Sequence, residues 1–170
     1  MKLYGYFRSS ASYRVRIALS LKGLDYDLQS IHLRRNEQQA PEFVERNPQG
    51  LVPALMHDGM VLTQSLAIIE YLEEQVPKPP LLPAAPLDRA WVRALAQIVA
   101  CDIHPINNLR ILQFLENNLA LDTDARAAWA RRWIDEGFWA METMLKSDLR
   151  TGDHCFGNQP TLADVCLVPQ

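Results

Sequence analysis

A proline-rich segment near the middle of the chain separates two parts of different character. Residues 77–86 read PKPPLLPAAP and hold five of the eleven prolines in the 170-residue chain. Proline has no amide hydrogen and cannot continue a helix, so this segment is predicted to be an extended linker. We therefore expect two domains, one over residues 1–80 and one over residues 81–170.

Upstream of the linker, strand-like and helix-like segments alternate. Short apolar runs bounded by turn residues predict strands, and apolar residues at helical spacing predict helices. The predicted strands are residues 2–6, 26–31, 51–56 and 61–62, and the predicted helices are residues 10–23, 41–46 and 65–76. Asp58-Gly59 is expected to form the hairpin turn between the last two strands. The order is β-α-β-α-β-β-α, which makes the first part an α/β domain.

Downstream of the linker the spacing is helical throughout. Residues 87–119 are predicted to form one helix that bends at Pro105, since proline removes the hydrogen bond to the Cys101 carbonyl. Asp122 or Thr123 is expected to cap a long helix that reaches Leu145. The pattern from Thr161 to Asp164 matches a capping box before a further apolar run. No helix-stop signal precedes Gln170, so we expect a domain that is cut within a helix.

Composition excludes several functional classes. The net charge is −3 with no basic stripe, which argues against nucleic-acid binding. No apolar run approaches the roughly 18 residues of a membrane span. The three cysteines are an odd number without a CxxC motif, which is typical of a reducing cytoplasm. The four histidines lack the spacing of metal ligands, so no metal site is expected.

The strongest local signal is Arg8-Ser9-Ser10-Ala11-Ser12 at a predicted strand-to-helix turn. A helix N-terminus carries unpaired N–H groups and a partial positive charge, so it stabilises a thiolate placed there. Lowering a thiol pKa by two units takes roughly 2.7 kcal/mol, and a serine hydrogen bond plus the helix end can supply that amount. The first 100 residues contain no cysteine, so the thiol would belong to a ligand. The alternative is that these serines only cap the helix.

Two further patterns could bind an extended ligand. A cis Val52-Pro53 bond would turn the Val52 backbone outward, where a peptide could pair with it; the alternative is a trans proline on an edge strand. Gln64-Ser65 opens the next helix, and its N–H groups and hydroxyl suit a carboxylate. The alternative for this pair is an ordinary helix cap.

These patterns together resemble the glutathione transferases, and most closely the zeta class, which includes the maleylacetoacetate and maleylpyruvate isomerases. The matching stretches are YFRSSASYRVRIALSLKG, NPQGLVPAL, QSLAIIEYLEE, the LLP of the linker, CDIHPINNLRIL and TLADVCLVPQ. The resemblance implies a thioredoxin-like N-terminal domain that binds glutathione, followed by an all-α domain. Many family members have cysteine where this chain has Ala11, which puts a second protein thiol in doubt but not the serine-based mechanism.

The resemblance also implies roles for individual residues. Ser9 matches the catalytic serine, assisted by Ser10, and Arg8 beside it is expected to act on the substrate. The residues implied to bind the cofactor glutathione are Ser9, Ser10, Gln38 or Gln39, Val52, Pro53, Gln64, Ser65, His104 and Asn108. Arg8 and Arg110 are expected to pair with substrate carboxylates. For Arg110 the alternative is a solvated helix face, and for His104 it is a residue of the helix kink.

The implied activity is cis–trans isomerisation of maleylacetoacetate or maleylpyruvate, by thiolate addition, rotation and elimination. One alternative is a transferase that conjugates glutathione to α-halo acids or other small electrophiles. Another is a non-catalytic binding protein of the same fold. A homodimer is expected from the resemblance.

Overall fold

In the computed structural model, which describes residues 1–170, four strands form one mixed sheet. The strands are β1 (Lys2–Gly5), β2 (Asp27–Ser30), β3 (Ala54–His57) and β4 (Met60–Thr63), in the spatial order β2-β1-β3-β4. β1 pairs in parallel with β2, while β3 is antiparallel to both β1 and β4. Asp58 and Gly59 both have positive φ, as the predicted hairpin turn between β3 and β4 requires.

Helices cover both faces of this sheet. The helices of the first part are α1 (Ser10–Leu21), α2 (Pro41–Val44) and α3 (Ser65–Gln75). The α1 and α3 helices pack against each other, and each contributes fully buried residues to the core, including Leu19 and Ile68. Tyr4 and Ala54 form a cluster with Phe43 of α2, and because side chains alternate along a strand, their neighbours Leu3 and Leu55 point to the other face. The thioredoxin-like β-α-β-α-β-β-α order is therefore confirmed.

The chain divides into two compact units, residues 1–81 and residues 82–168. The second unit is all-helical, with α4 (Pro86–Gln97), α5 (His104–Asn107), α6 (Leu109–Asn117), α7 (Thr123–Ser147) and α8 (Leu162–Leu167). Its core is formed by buried aliphatic side chains, among them Val92, Leu95, Val99 and Val165. No helix of the chain is both long and apolar enough to span a membrane.

The prediction of one helix over residues 87–119 with its bend at Pro105 is wrong in detail. A π-helical segment, Ile98–Ile103, follows α4, and the His104 N–H bonds to the Val99 carbonyl five residues back. This wider turn lets the chain pass Pro105 in helical form. The helix breaks instead at Asn108, whose backbone is extended and whose side chain caps α6. The Asn108 side-chain cap stabilises the start of α6 at this break.

The other helix ends of the second unit follow local signals. Asp122 caps α7 by accepting a hydrogen bond from the Ala125 N–H. Thr161 and Asp164 form the predicted capping box, in which the Asp164 carboxylate accepts from both the N–H and the hydroxyl of Thr161. The α8 helix ends at Leu167, three residues before Gln170.

Candidate active site

Ser9 lies at the N-terminus of α1, as the N-cap residue. Its Oγ accepts a hydrogen bond from the Ser12 N–H at 3.2 Å, and its own N–H donates to the Tyr6 carbonyl at 3.0 Å. A hydroxyl can accept and donate at once, so the cap leaves the Ser9 proton available to a ligand. Capping and thiolate binding are thus compatible uses of one oxygen atom. Ser10 is the first residue of the helix and is half-buried.

A residue of α1 stabilises the turn that contains Arg8. The Arg16 guanidinium donates to the Phe7 carbonyl at 3.2 Å and lies over the Tyr13 ring. Arg8 itself is exposed, so its guanidinium can meet an anion near Ser9 without first losing a buried partner. The arrangement places an exposed cation one residue from the candidate catalytic hydroxyl.

The segment before β3 is built around a buried asparagine. Asn47 is only 2% exposed; its Nδ2 donates to the Leu51 carbonyl at 2.7 Å and its Oδ1 accepts from the Gln49 N–H at 3.2 Å. The Val52-Pro53 bond is cis, as the resemblance implies. The Val52 side chain packs on the Tyr4 cluster, and β3 begins only at Ala54. The strand was predicted to start at Leu51, but Pro53 has no N–H to offer a neighbouring strand.

Gln64 and Ser65 begin α3. Gln64 has φ 68° and ψ 117°, an unusual backbone for a residue with a side chain, and its carbonyl accepts from the Ile68 N–H. Ser65 is buried and is the first helical residue. The first N–H groups of a helix have no partner within it, so this end of α3 suits a carboxylate.

Two hydrogen bonds between distant residues join these three segments. The Arg14 guanidinium, 1% exposed, donates to the Ser65 Oγ at 3.4 Å and so links α1 to the start of α3. The Gln64 Nε2 donates to the Gln49 Oε1 at 2.7 Å and so links α3 to the segment before Val52. These bonds link the segments of the first unit that carry Ser9, Val52 and Ser65.

Arg14 and Gln49 were not predicted from the sequence. Arg14 had a detectable signal, because it is a charged residue on the same stripe of α1 as the buried Ala18. A charge on a buried stripe needs a partner and often marks a site. Gln49 is an exposed residue of a turn, and no local pattern distinguishes it from any other polar turn residue.

Gln38 and Gln39 lie beside the same turn. Gly50 has φ 59°, and a Cβ added there would meet the Gln39 Nε2 at 2.6 Å and the Gln38 carbonyl at 3.1 Å. The Gln38 Oε1 is buried and has no hydrogen-bond partner in the chain. The positive φ and the close approach of the Gln38 carbonyl both favour glycine at position 50.

His104, Asn108 and Arg110 belong to the second unit. Asn108 uses its Oδ1 to accept from the Arg110 and Ile111 N–H groups at the start of α6, which leaves its amide N–H groups for another partner. Arg110 is exposed, and His104 is half-buried at the start of α5.

Chemically, the first unit offers a hydroxyl donor at one helix end, a backbone segment at Val52 that belongs to no strand, and at Ser65 a helix end that suits an anion. The donor set fits a small peptide with a thiol and a terminal carboxylate. The thiol suits Ser9 and the N-terminus of α1, since both favour a thiolate. The carboxylate suits the N-terminus of α3.

Comparisons with known proteins identify relatives of this chain. Residues 1–74 match the family model of the glutathione S-transferase N-terminal domain. The maleylpyruvate isomerase of Ralstonia sp. is 53% identical over 170 residues, covering 100% of this chain and 80% of the relative. A holo structure of maleylpyruvate isomerase, described as a bacterial zeta-class glutathione S-transferase, superposes with a TM-score of 0.98 at 53% identity, covering 99% of this chain and 80% of that one.

A second solved structure is that of the maleylacetoacetate isomerase from Methylobacterium extorquens AM1, with malonate and GSH bound. It is 45% identical, with a TM-score of 0.96, and the match covers 99% of this chain and 79% of that one. Identity at this level over nearly the whole chain establishes common descent as well as a common fold. The chain belongs to the glutathione S-transferase family, in its zeta class.

Proposed function

We propose that this chain is a glutathione-dependent cis–trans isomerase of maleylacetoacetate or maleylpyruvate. The observation that carries the proposal is that the Ser9 Oγ caps α1 as a hydrogen-bond acceptor, which leaves the hydroxyl proton available to a ligand thiolate. Relatives named for these two isomerase activities are 53% and 49% identical to the chain. One solved relative binds GSH together with malonate, a small dicarboxylate.

The residues proposed to hold glutathione form two groups. In the first unit, Ser9 and Ser10 receive the thiol end, Val52 and Pro53 the peptide backbone, and Gln64 and Ser65 the γ-glutamyl end; Gln38 or Gln39 receives the glycyl end. In the second unit, His104 and Asn108 are proposed as further contacts. When bound, glutathione supplies a thiol whose reversible addition to the cis double bond permits rotation and release of the trans product.

The chain's own groups perform the remaining tasks. Ser9 donates a hydrogen bond to the thiolate sulfur, and the N-terminus of α1 lowers the energy of that negative charge. The substrate carries two carboxylates, and the protein has a net charge of −3, so local cations are needed to bind it. Arg8 and Arg110 are exposed and are proposed to pair with these carboxylates. Such pairing orients the double bond relative to the thiol.

The decisive experiment supplies each maleyl substrate separately with substoichiometric glutathione and follows the absorbance change of the cis–trans conversion. Many turnovers per glutathione on either substrate are expected, and the ratio of the two kcat/KM values names the physiological one. If glutathione binds but neither substrate is converted, the isomerase proposal is wrong. Conjugation of α-halo acids is then the next activity to assay, and after that a binding role.

Two further properties are part of the proposal. We expect a homodimer, supported by large apolar side chains on the surface of the second unit, including Leu87, Phe114 and Trp139. We also expect a cytoplasmic location, supported by three cysteines that are all free thiols. Light scattering during gel filtration tests the first, and fractionation of the native cells tests the second.

A further inference from the structure

Gln64 is constrained at both its backbone and its side chain. Its φ of 68° with ψ of 117° lies outside the ordinary left-handed region, a conformation that persists only when the surroundings enforce it. Its side chain is exposed, yet its Nε2 donates a hydrogen bond to the Gln49 Oε1 at 2.7 Å. An exposed amide would otherwise rotate freely, so the bond selects one orientation of the group.

Gln49 is itself held in place from the core. Its N–H donates to the Oδ1 of the buried Asn47, and the Asn47 Nδ2 donates in turn to the Leu51 carbonyl. The Gly50 N–H also donates to the Asn47 carbonyl at 2.9 Å. These bonds fix the turn over residues 47–50, so Gln49 presents its side-chain oxygen from a defined position.

The bond decides which end of the Gln64 amide remains for a ligand. A glutamine amide has a donor nitrogen and an acceptor oxygen. Gln49 accepts one of the two hydrogens on this nitrogen and so fixes the orientation of the amide, in which the Gln64 Oε1 remains an acceptor for a ligand. The next residue, Ser65, opens α3 and provides donors for an anion. An acceptor beside an anion site is complementary to a group that carries an ammonium and a carboxylate on one carbon.

We propose that Gln49 is a specificity-determining residue that acts through Gln64. It holds the Gln64 amide so that the Oε1 accepts from the free α-ammonium of the γ-glutamyl group, while Ser65 and the end of α3 bind the α-carboxylate. This inference rests on the proposed function only in taking glutathione as the ligand. It assigns to Gln49 the recognition of an unmodified amino end, and not a role in the chemistry at sulfur.

The test measures binding rather than turnover. Dissociation constants are determined by calorimetry for glutathione and for its analogue that lacks the α-amino group, with wild-type protein, Gln49→Ala and Gln49→Met. The wild-type protein is expected to prefer glutathione by about tenfold or more, as for one hydrogen bond to a charged group. Both variants are expected to lose most of this preference, because the Gln64 amide is then free to rotate. Gln49→Met keeps the length of the side chain but removes the amide, including the oxygen that accepts from Gln64.

Two controls separate positioning from general damage. Gln75→Ala removes another exposed glutamine, at the opposite end of α3, and should leave the preference unchanged. Gln64→Ala should abolish the preference, and the double variant Gln49→Ala/Gln64→Ala should be no worse than Gln64→Ala alone. The pKa of the bound thiol should be the same in Gln49→Ala as in wild type.

Several results would overturn the inference. A preference ratio that is unchanged in Gln49→Ala, even with weaker binding of both ligands, would show a merely structural role. Additive losses in the double variant would show that Gln49 does not act through Gln64. Wild-type protein that binds both ligands equally well would overturn this inference while leaving the isomerase proposal intact, whereas failure to bind glutathione at all would overturn both.

Discussion

Replacing Ser9 by alanine removes two functions of one oxygen atom, and each loss has its own measurable effect. The Oγ caps α1 by accepting from the Ser12 N–H at 3.2 Å, and loss of such a cap destabilises a protein by about 1 kcal/mol. The hydroxyl proton is proposed to bind the thiolate of glutathione. A hydrogen bond to a charged group contributes about 1.5–3 kcal/mol, which corresponds to a rise of about one to two units in the pKa of the bound thiol.

The assay is a pH titration of thiolate absorbance in the complex with glutathione, combined with urea unfolding of the free protein. Asp122→Ala is a matched control, because Asp122 caps α7 in the second unit through the Ala125 N–H at 2.8 Å. It should lower stability by a similar amount without changing the thiol pKa. Ser10→Ala removes a neighbouring hydroxyl that does not cap the helix, and it should change the pKa less than Ser9→Ala does.

The outcomes separate the two functions of Ser9. If the bound thiol has the same pKa in Ser9→Ala as in wild type, the N-terminus of α1 alone accounts for ionisation and Ser9 is only a cap. If the thiol pKa rises but stability is unchanged, the hydrogen bond to Ser12 contributes nothing and the capping account is wrong. Activity should fall in proportion to the lost thiolate at a pH below both thiol pKa values.

Three further outcomes are expected. Lys22→Met should lower the free energy of unfolding of the first unit in urea by about 3–5 kcal/mol. The fully buried Lys22 ammonium pairs with Glu73, and its loss leaves that carboxylate without this cation. Adding Glu73→Gln to Lys22→Met should recover part of the loss. Asp164→Asn should lower stability at neutral pH. Burial opposes ionisation of the Asp164 carboxyl, but its hydrogen bonds hold the pKa below the ordinary value of 3.8, so the carboxylate stabilises the fold above that pH and this contribution is lost on further acidification. Acid-unfolding curves of Asp164→Asn should lack this pH dependence. Thiol reagents should modify the exposed Cys101 quickly and Cys155 only on unfolding, since burial raises the pKa of Cys155 to about 12; fast labelling of a Cys101→Ser variant would contradict this.

The local elements of this protein could be predicted because their causes lie within a few residues. The turn at Asp58-Gly59 needs two residues that tolerate positive φ, and the capping box at Thr161 needs a carboxylate three residues later. The serines before α1 likewise predict the start of a helix, because serine is a favoured N-cap residue. Each of these hydrogen bonds closes within one turn of chain, so the sequence order already contains both partners.

The break in the helical segment shows where local reasoning stops being sufficient. Pro105 was the strongest local signal for a bend, yet the chain stays helical there and breaks at Asn108. The π-helical turn before Pro105 accommodates the missing amide hydrogen, and the residues of that turn, including Val99 and Ile103, are buried against other helices. Packing therefore decided between two locally acceptable break points.

The sequence by itself determined the order of the elements, the division at the proline-rich segment, and the residue types that a thiolate site requires. It also placed Ser9, Gln64 and Ser65 at the starts of helices, where backbone N–H groups are unpaired. Tertiary structure decided how these positions are held together. The Arg14–Ser65 bond joins residues 51 apart and the Gln49–Gln64 bond joins residues 15 apart. Such contacts form only after the helices and strands have packed. The free energy that brings these residues together comes from burial of the whole core, so no short segment of sequence predicts them.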